Sequence, residues 1–146
     1  MKKKSLLMLL LLALSISNLS VSLQYKGKLD VNINHIKNKK GHIVVALFKN
    51  AKGFPEDTDQ AFRIKKIRAS EIRHQISFYN VEPNNYALAV FHDENSNGKL
   101  DVNFFGIPTE GMAVSNNIDG SWSAPSFAEA KFTFTKNHSL IINIIN

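Results

Sequence analysis

The 146-residue chain contains no cysteine and carries 18 Lys and Arg against 12 Asp and Glu, a formal net charge of +6. Three of the excess charges sit at Lys2, Lys3 and Lys4, so the remainder is only mildly basic. The cluster Lys65, Lys66, Arg68 and Arg73 reads as a solvated strand face, because a nucleic-acid stripe would be denser and interleaved with aromatics. Without thiols there is no disulfide framework and no lipid attachment through sulfur, so a core, alone or with a bound cation, must hold the fold.

The chain opens with three lysines, an apolar run from Leu6 to Leu14 and a small-x-small site ending at Ser22, the pattern of a secretory signal peptide over residues 1–22. The apolar run is shorter than the roughly 20 residues that span a bilayer, so no stable membrane span is expected after processing. Residues 23–146 are then expected as one domain, periplasmic or extracellular, where nucleic acid is not a partner.

Beyond Tyr25 the sequence falls into short runs of period two. "KLDVNINHI" sets Leu29, Val31 and Ile33 on one face and Asp30, Asn32 and Asn34 on the other, which predicts a half-buried strand. "HIVVALF" (42–48) is apolar on both faces and predicts a central strand. After the Gly- and Pro-bearing loop "KNAKGFPEDTDQ", alternation returns through Phe62, Ile64 and Ile67 with one slip, then through Ile72, Ile76 and Phe78. "YALAVFHD" follows the turn "EPNN", and "AKFTFT" with "SLIINII" forms a last pair around a turn at Asn137. No stretch sustains a 3.6-residue period. About seven strands at this spacing predict an all-β fold, a single antiparallel β-sandwich of immunoglobulin or transthyretin type. Residues 106–127, with scattered Pro and Gly, predict one long ordered loop.

"HDENSNGKLD" (92–101) carries the main functional signal. Asp93, Asn95, Asn97, Gly98 and Asp101 follow the order D-x-N-x-N-G-x-x-D, which aims alternate side-chain oxygens into a tight loop as calcium coordination requires. Phe104 stands where a helix-flanked calcium loop has its bidentate Glu, so the expected site is an inter-strand loop. Asp93, Asn95, Asn97 and Asp101 give side-chain oxygens, Lys99 its carbonyl, and Glu94 or Glu110 completes the shell. The alternative is a plain turn, since Asn97-Gly98 is the preferred type I′ pair and would reverse the chain between "YALAVF" and "VNFFGI".

"FHDENSNGKLDVNFFGIPTEG", with "SNN" at 115–117 and "PSFAEAKF" at 125–132, resembles a family of exported bacterial proteins catalogued only as a domain of unknown function. The resemblance implies a small exported single domain and implies no activity. Aromatic residues are common after "EG" in that family, whereas Met112, Ala113 and Val114 follow it here.

No G-x-S-x-G elbow and no H-E-x-x-H pair is present, so no catalytic residue is assigned. His74 shares parity with Ile76 and Phe78 and reads as a satisfied half-buried histidine. His92 adjoins the loop either as a ligand-binding or proton-transfer group with Glu110, or as a hydrogen bond that fixes the loop backbone. Phe104, Phe105, Trp122 and Phe127 read as a small satellite core closing one end, or as a groove, with Trp122 the best placed for ligand contact. The leading expectation is therefore a binding or scaffolding module of the cell envelope, with calcium in one loop and an envelope protein, peptide or glycan as partner. The alternative is an envelope enzyme using His92, Asp93 and Glu110. A deep pocket shared by these three would favour the enzyme.

Overall fold

The computed structural model describes residues 25–119 and 123–146, so the expected signal peptide and Trp122 lie outside the described residues. Strands β1 (Gly27–Asn34), β4 (Gln75–Val81) and β8 (His138–Asn143) make a three-stranded sheet in the order β4-β1-β8. The second sheet runs β3 (Arg63–Arg68), β2 (His42–Phe48), β5 (Asn84–Asp93) and β6 (Met112–Val114), and β7 (Phe132–Phe134) also pairs with β5.

Burial follows the sequence pattern where the pattern is clean. On β1, Leu29, Val31 and Ile33 are buried while Asp30 and Asn32 are half-buried. One cluster draws on both sheets: Leu29 and Val31 from β1, Ile43, Val45 and Leu47 from β2, Ile76 and Phe78 from β4, Leu88 and Val90 from β5. Each such side chain taken fully out of water contributes about 1.5–3 kcal/mol. Strands β2 and β5 are apolar on both faces because their other face is covered too. Phe54 and Phe127 pack over Ala46, Phe48 and Ala89.

Several expectations are corrected. The sheets are not wholly antiparallel, since β8 runs parallel to β1, from Leu29 opposite His138 to Asn34 opposite Asn143. The predicted hairpin around Asn137 is absent for the same reason: β7 pairs with β5 and β8 with β1, so the chain passes from one sheet to the other there. Residues 106–127 are not one loop, for they contain β6. A helix, α1 (Phe127–Ala130), also forms where no helical period is visible. Its four residues are too few to show a period, and its signal is the capping box, in which the Ser126 hydroxyl accepts from Glu129 N–H and the Glu129 carboxylate accepts from Ser126 N–H. Ile72 is fully exposed, because β4 begins only at Gln75. Phe62 and Ile64 are exposed as well, as befits the edge position of β3. Among the described residues no helix is long and apolar enough to cross a membrane.

Candidate functional site

Strand β5 carries the chain into the 93–101 loop, and its last residue, Asp93, is wholly buried. Burying a carboxylate is costly unless donors meet it. Here the donors are backbone amides of the loop itself: Asn97 N–H reaches Asp93 Oδ1 at 3.0 Å and Gly98 N–H reaches Oδ2 at 2.9 Å. Two Asx turns follow, with Asn97 N–H on Asn95 Oδ1 at 2.9 Å and Lys99 N–H on Asn97 Oδ1 at 2.8 Å. The side-chain amides of Asn95 and Asn97 both donate to Asp101, at 2.6 and 2.8 Å. Positive φ falls at Ser96 (63°) and Gly98 (82°), not at the adjacent pair that a type I′ turn requires. The Asn97-Gly98 hairpin is therefore not formed, and the chain pairs antiparallel with β5 again only when it reaches β6, through Ala89–Val114, Val90–Ala113 and Phe91–Met112.

Glu110 fastens the base of this loop. Its Oε1 accepts from Glu94 N–H at 2.8 Å and its Oε2 from Asp101 N–H at 3.1 Å, so one carboxylate holds both ends. Glu94 turns to the preceding loop, where its carboxylate accepts from the Asn38 amide at 2.8 Å and lies 4.0 Å from Lys37 Nζ. The Asn38 hydrogen bond, helped by Lys37 and opposed by burial, holds the Glu94 carboxyl below its ordinary value. His92 is also fully buried. Its Nε2 lies 2.8 Å from the Lys40 carbonyl, which can only accept, so Nε2 carries the proton and Nδ1 is left without a hydrogen-bond partner.

Asp93, Asn95, Asn97, Asp101 and Glu110 are thus neighbours at one loop, and each of their side-chain oxygens faces a donor of the protein. Among the described residues no group of three or more His, Asp or Glu is arranged to hold a single metal ion. The Lys99 side chain is exposed, and its contribution in this arrangement is its backbone N–H. Among the described residues, His92 and Asp93 are wholly buried whereas Glu110 lines a groove. A groove of about 180 Å³ lined by Glu110, Ile107, Met112, Ile118 and Ile145 includes neither of them.

Beyond the base the chain makes a second, smaller reversal. Val102 bridges Pro108, Asn103 N–H donates to the Ile107 carbonyl at 2.8 Å, and Asn103 Oδ1 accepts from Phe105 and Ile107 N–H at 2.9 and 3.1 Å. Gly106, at φ 78°, completes the turn. This holds up two aromatic rings, Phe104 at 97% and Phe105 at 82% exposure, edge to face at 5.5 Å. The expected satellite core is corrected for both: they cap no interior. Phe127, the third ring named for it, packs instead with Phe54 on the outer face of β2.

Sequence reasoning missed several supports. Gly41, at φ 63°, lies so close to β5 that a Cβ there would stand 1.9 Å from the Asp93 carbonyl oxygen. The signal was available in "KKG" ahead of a strand, but not its neighbour. "SNN" is a clasp: buried Ser115 accepts from Leu88 N–H at 2.9 Å, the Asn116 amide donates to Glu129 and Lys131 carbonyls, and Asn117 pairs with Asn143 N–H and the Ile141 carbonyl. Asn116 and Asn117 take left-handed φ of 66° and 50°, which asparagine tolerates. That clasp ties β5, α1 and β8 together.

The chain belongs to the family of uncharacterized proteins conserved in bacteria known as DUF2141, whose model matches residues 31–142. No curated protein and no solved structure matches it.

Proposed function

We propose that this chain is an exported binding module of the cell envelope, a single β-sandwich that meets its partner with the 94–111 loop. The observation that carries this reading is the pair Phe104 and Phe105, held almost wholly in solvent by a turn whose base is fastened through Asp93, Asp101 and Glu110. Rings displayed on a rigid loop lose little freedom on binding, and aromatic side chains dominate binding energies. The one core fed by both sheets supports the sandwich. Replacing Phe105 by a photo-reactive amino acid in cells should give adducts with an envelope component, and the same replacement at Tyr79 on strand β4 should not. Equal labelling from both positions would sink the reading.

Calcium is the second element of the proposal. Asp93, Asn95, Asn97 and Asp101 already crowd one loop, and turning the Asn95 and Asn97 amides would present oxygen where they now present N–H to Asp101. The ion must compete with the Asx turns, so weak binding of about 10⁻⁴ to 10⁻³ M, that of extracellular modules, is expected. At about 100 times Kd, calcium should stabilise the fold by about 2.7 kcal/mol. Asp101→Ala should abolish the rise in melting temperature while remaining folded in chelator. An unchanged wild-type melting temperature would remove calcium from the proposal and leave the loop as a hydrogen-bonded turn.

A further inference from the structure

The 94–111 loop does not stand alone at its end of the molecule. His42 of β2 lies opposite both Asp93 of β5 and Arg68 of β3, so the loops before β2, after β3 and after β5 emerge together. Asn34 of β1 lies opposite Asn143 of β8, which brings the last residues to the same end. Hydrogen bonds join these segments: Ala69 N–H to the Gly41 carbonyl, Asn38 to Glu94, and Asn146 to the His35 carbonyl.

Two kinds of side chain are exposed there. Ile72 projects fully from the β3–β4 loop, and Val102, Phe104, Phe105 and Ile107 project from the β5–β6 loop. At the same end, Lys37, Lys39, Lys40, Lys99, Arg68 and Arg73 are all exposed. The acids of this end are turned inward. Asp93 is buried, and Glu94, Asp101 and Glu110 are half-buried with their oxygens on N–H groups, leaving Glu71 as the exposed one. This end therefore combines protruding apolar side chains with an excess of exposed cations.

We propose that this end docks on an anionic lipid interface, with Phe104 and Phe105 entering the headgroup region and Lys37, Lys39, Lys40 and Lys99 meeting the phosphates. This rests on the reading of the chain as a binding module that uses this end, and it names the partner. Lipid fits better than protein for two reasons. Lysine is depleted from protein interfaces, whereas beside a membrane it lays its stem along the apolar boundary and keeps its ammonium on the headgroups. Separate protruding side chains also need no shaped cavity when the acceptor is deformable. An interfacial segment with apolar and basic faces gains from both buried area and attraction to anionic lipid.

The test is co-sedimentation of the protein, purified in the form cells export and with its intact mass recorded, with vesicles of phosphatidylcholine alone or mixed equally with phosphatidylglycerol. Chelator is present throughout, so the result is independent of calcium. We expect binding to the mixed vesicles that weakens with salt. K37Q/K39Q/K40Q should reduce it about fivefold per lysine. F104S/F105S should reduce it roughly tenfold or more, with unchanged melting temperature. Absence of wild-type binding, or variants that bind like wild type, overturns the lipid partner. If vesicles fail but the Phe105 photo-probe still labels an envelope protein, the lipid inference falls while the binding-module reading stands. Loss of both sinks the two together.

Discussion

Phenylalanine rings away from the 93–101 loop are packed or covered, whereas the two at the tip of the 94–111 loop stand in water. At the end away from the 93–101 loop, Tyr86 meets Phe134 edge-on at 6.2 Å and Phe132 at 6.4 Å, while Phe54 bridges Phe48 and Phe127 through edge contacts of 5.2 and 5.9 Å. Even the exposed Phe62 is covered by an ammonium, with Lys49 Nζ 3.7 Å above its ring. At the loop end, Phe104 and Phe105 touch mainly each other. The fold can find room for rings, so the two displayed in water are not a surplus that the core failed to absorb. Their exposure is built, by Asn103 and Gly106, into the turn that carries them.

The sharpest way to break this contrast is to truncate one ring at each end. Phe134 is wholly buried, and Phe134→Ala should cost about 3–5 kcal/mol in urea unfolding. Phe104→Ala should stay within about 0.5 kcal/mol of wild type. A comparable loss at both positions would mean that the tip packs against something in solution and that the ends are alike.

Next in size is the close approach behind the loop. Gly41→Ala puts a methyl against a backbone oxygen that cannot swing aside, at a left-handed φ, and should cost about 3 kcal/mol. A melting temperature near that of wild type would show that β2 and β5 separate easily where the loop begins. Gly98→Ala is the counterpart, since nothing stands within 4 Å of its Cβ position and only the φ of 82° opposes it. About 1 kcal/mol is expected. Asp93→Ala should fall between them, about 1–3 kcal/mol, because it takes the acceptor from Gly98 N–H and leaves Asn97 N–H with Asn95 Oδ1 alone.

The sequence made the strands legible and the connections much less so. Alternation in 27–34 and the continuous apolar run in 42–48 each follow from burial on one face or on two, and both read correctly. Period two gives a strand's faces but not its partner, so the parallel pairing of β8 with β1 left no local trace. Helix α1 was hidden by being a single turn, and β6 by being three residues inside a stretch rich in Pro and Gly. In the candidate site, D-x-N-x-N-G-x-x-D points to a calcium loop or a plain turn, and in the fold its side-chain oxygens accept from N–H groups of the loop itself. What ties this loop to the rest of the molecule was not legible, because Asn38, which donates to Glu94, and Gly41, which lies against the Asp93 carbonyl, reach it from the loop before β2.

The smallest expected effect concerns Glu94, the acid that ties the loop base to the Lys-rich loop before β2. Glu94 has its carboxyl held below the ordinary 4.5, first by the Asn38 amide and then by Lys37, against the opposing pull of burial. A folded value below the unfolded one means that ionised Glu94 stabilises the fold above about pH 4.5. That contribution fades as pH falls through the folded value. Asn38→Ala removes the first cause, so it should cost a few tenths to about 1 kcal/mol at pH 7, given that the Glu94 side chain is 25% exposed. The difference between variant and wild type should then shrink toward pH 3, where Glu94 is protonated in both. Urea unfolding at the two pH values reads this directly. A difference that grows on acidification would mean that Asn38 supports the neutral acid instead, and that the Lys-rich loop is not electrostatically tied to the 93–101 loop.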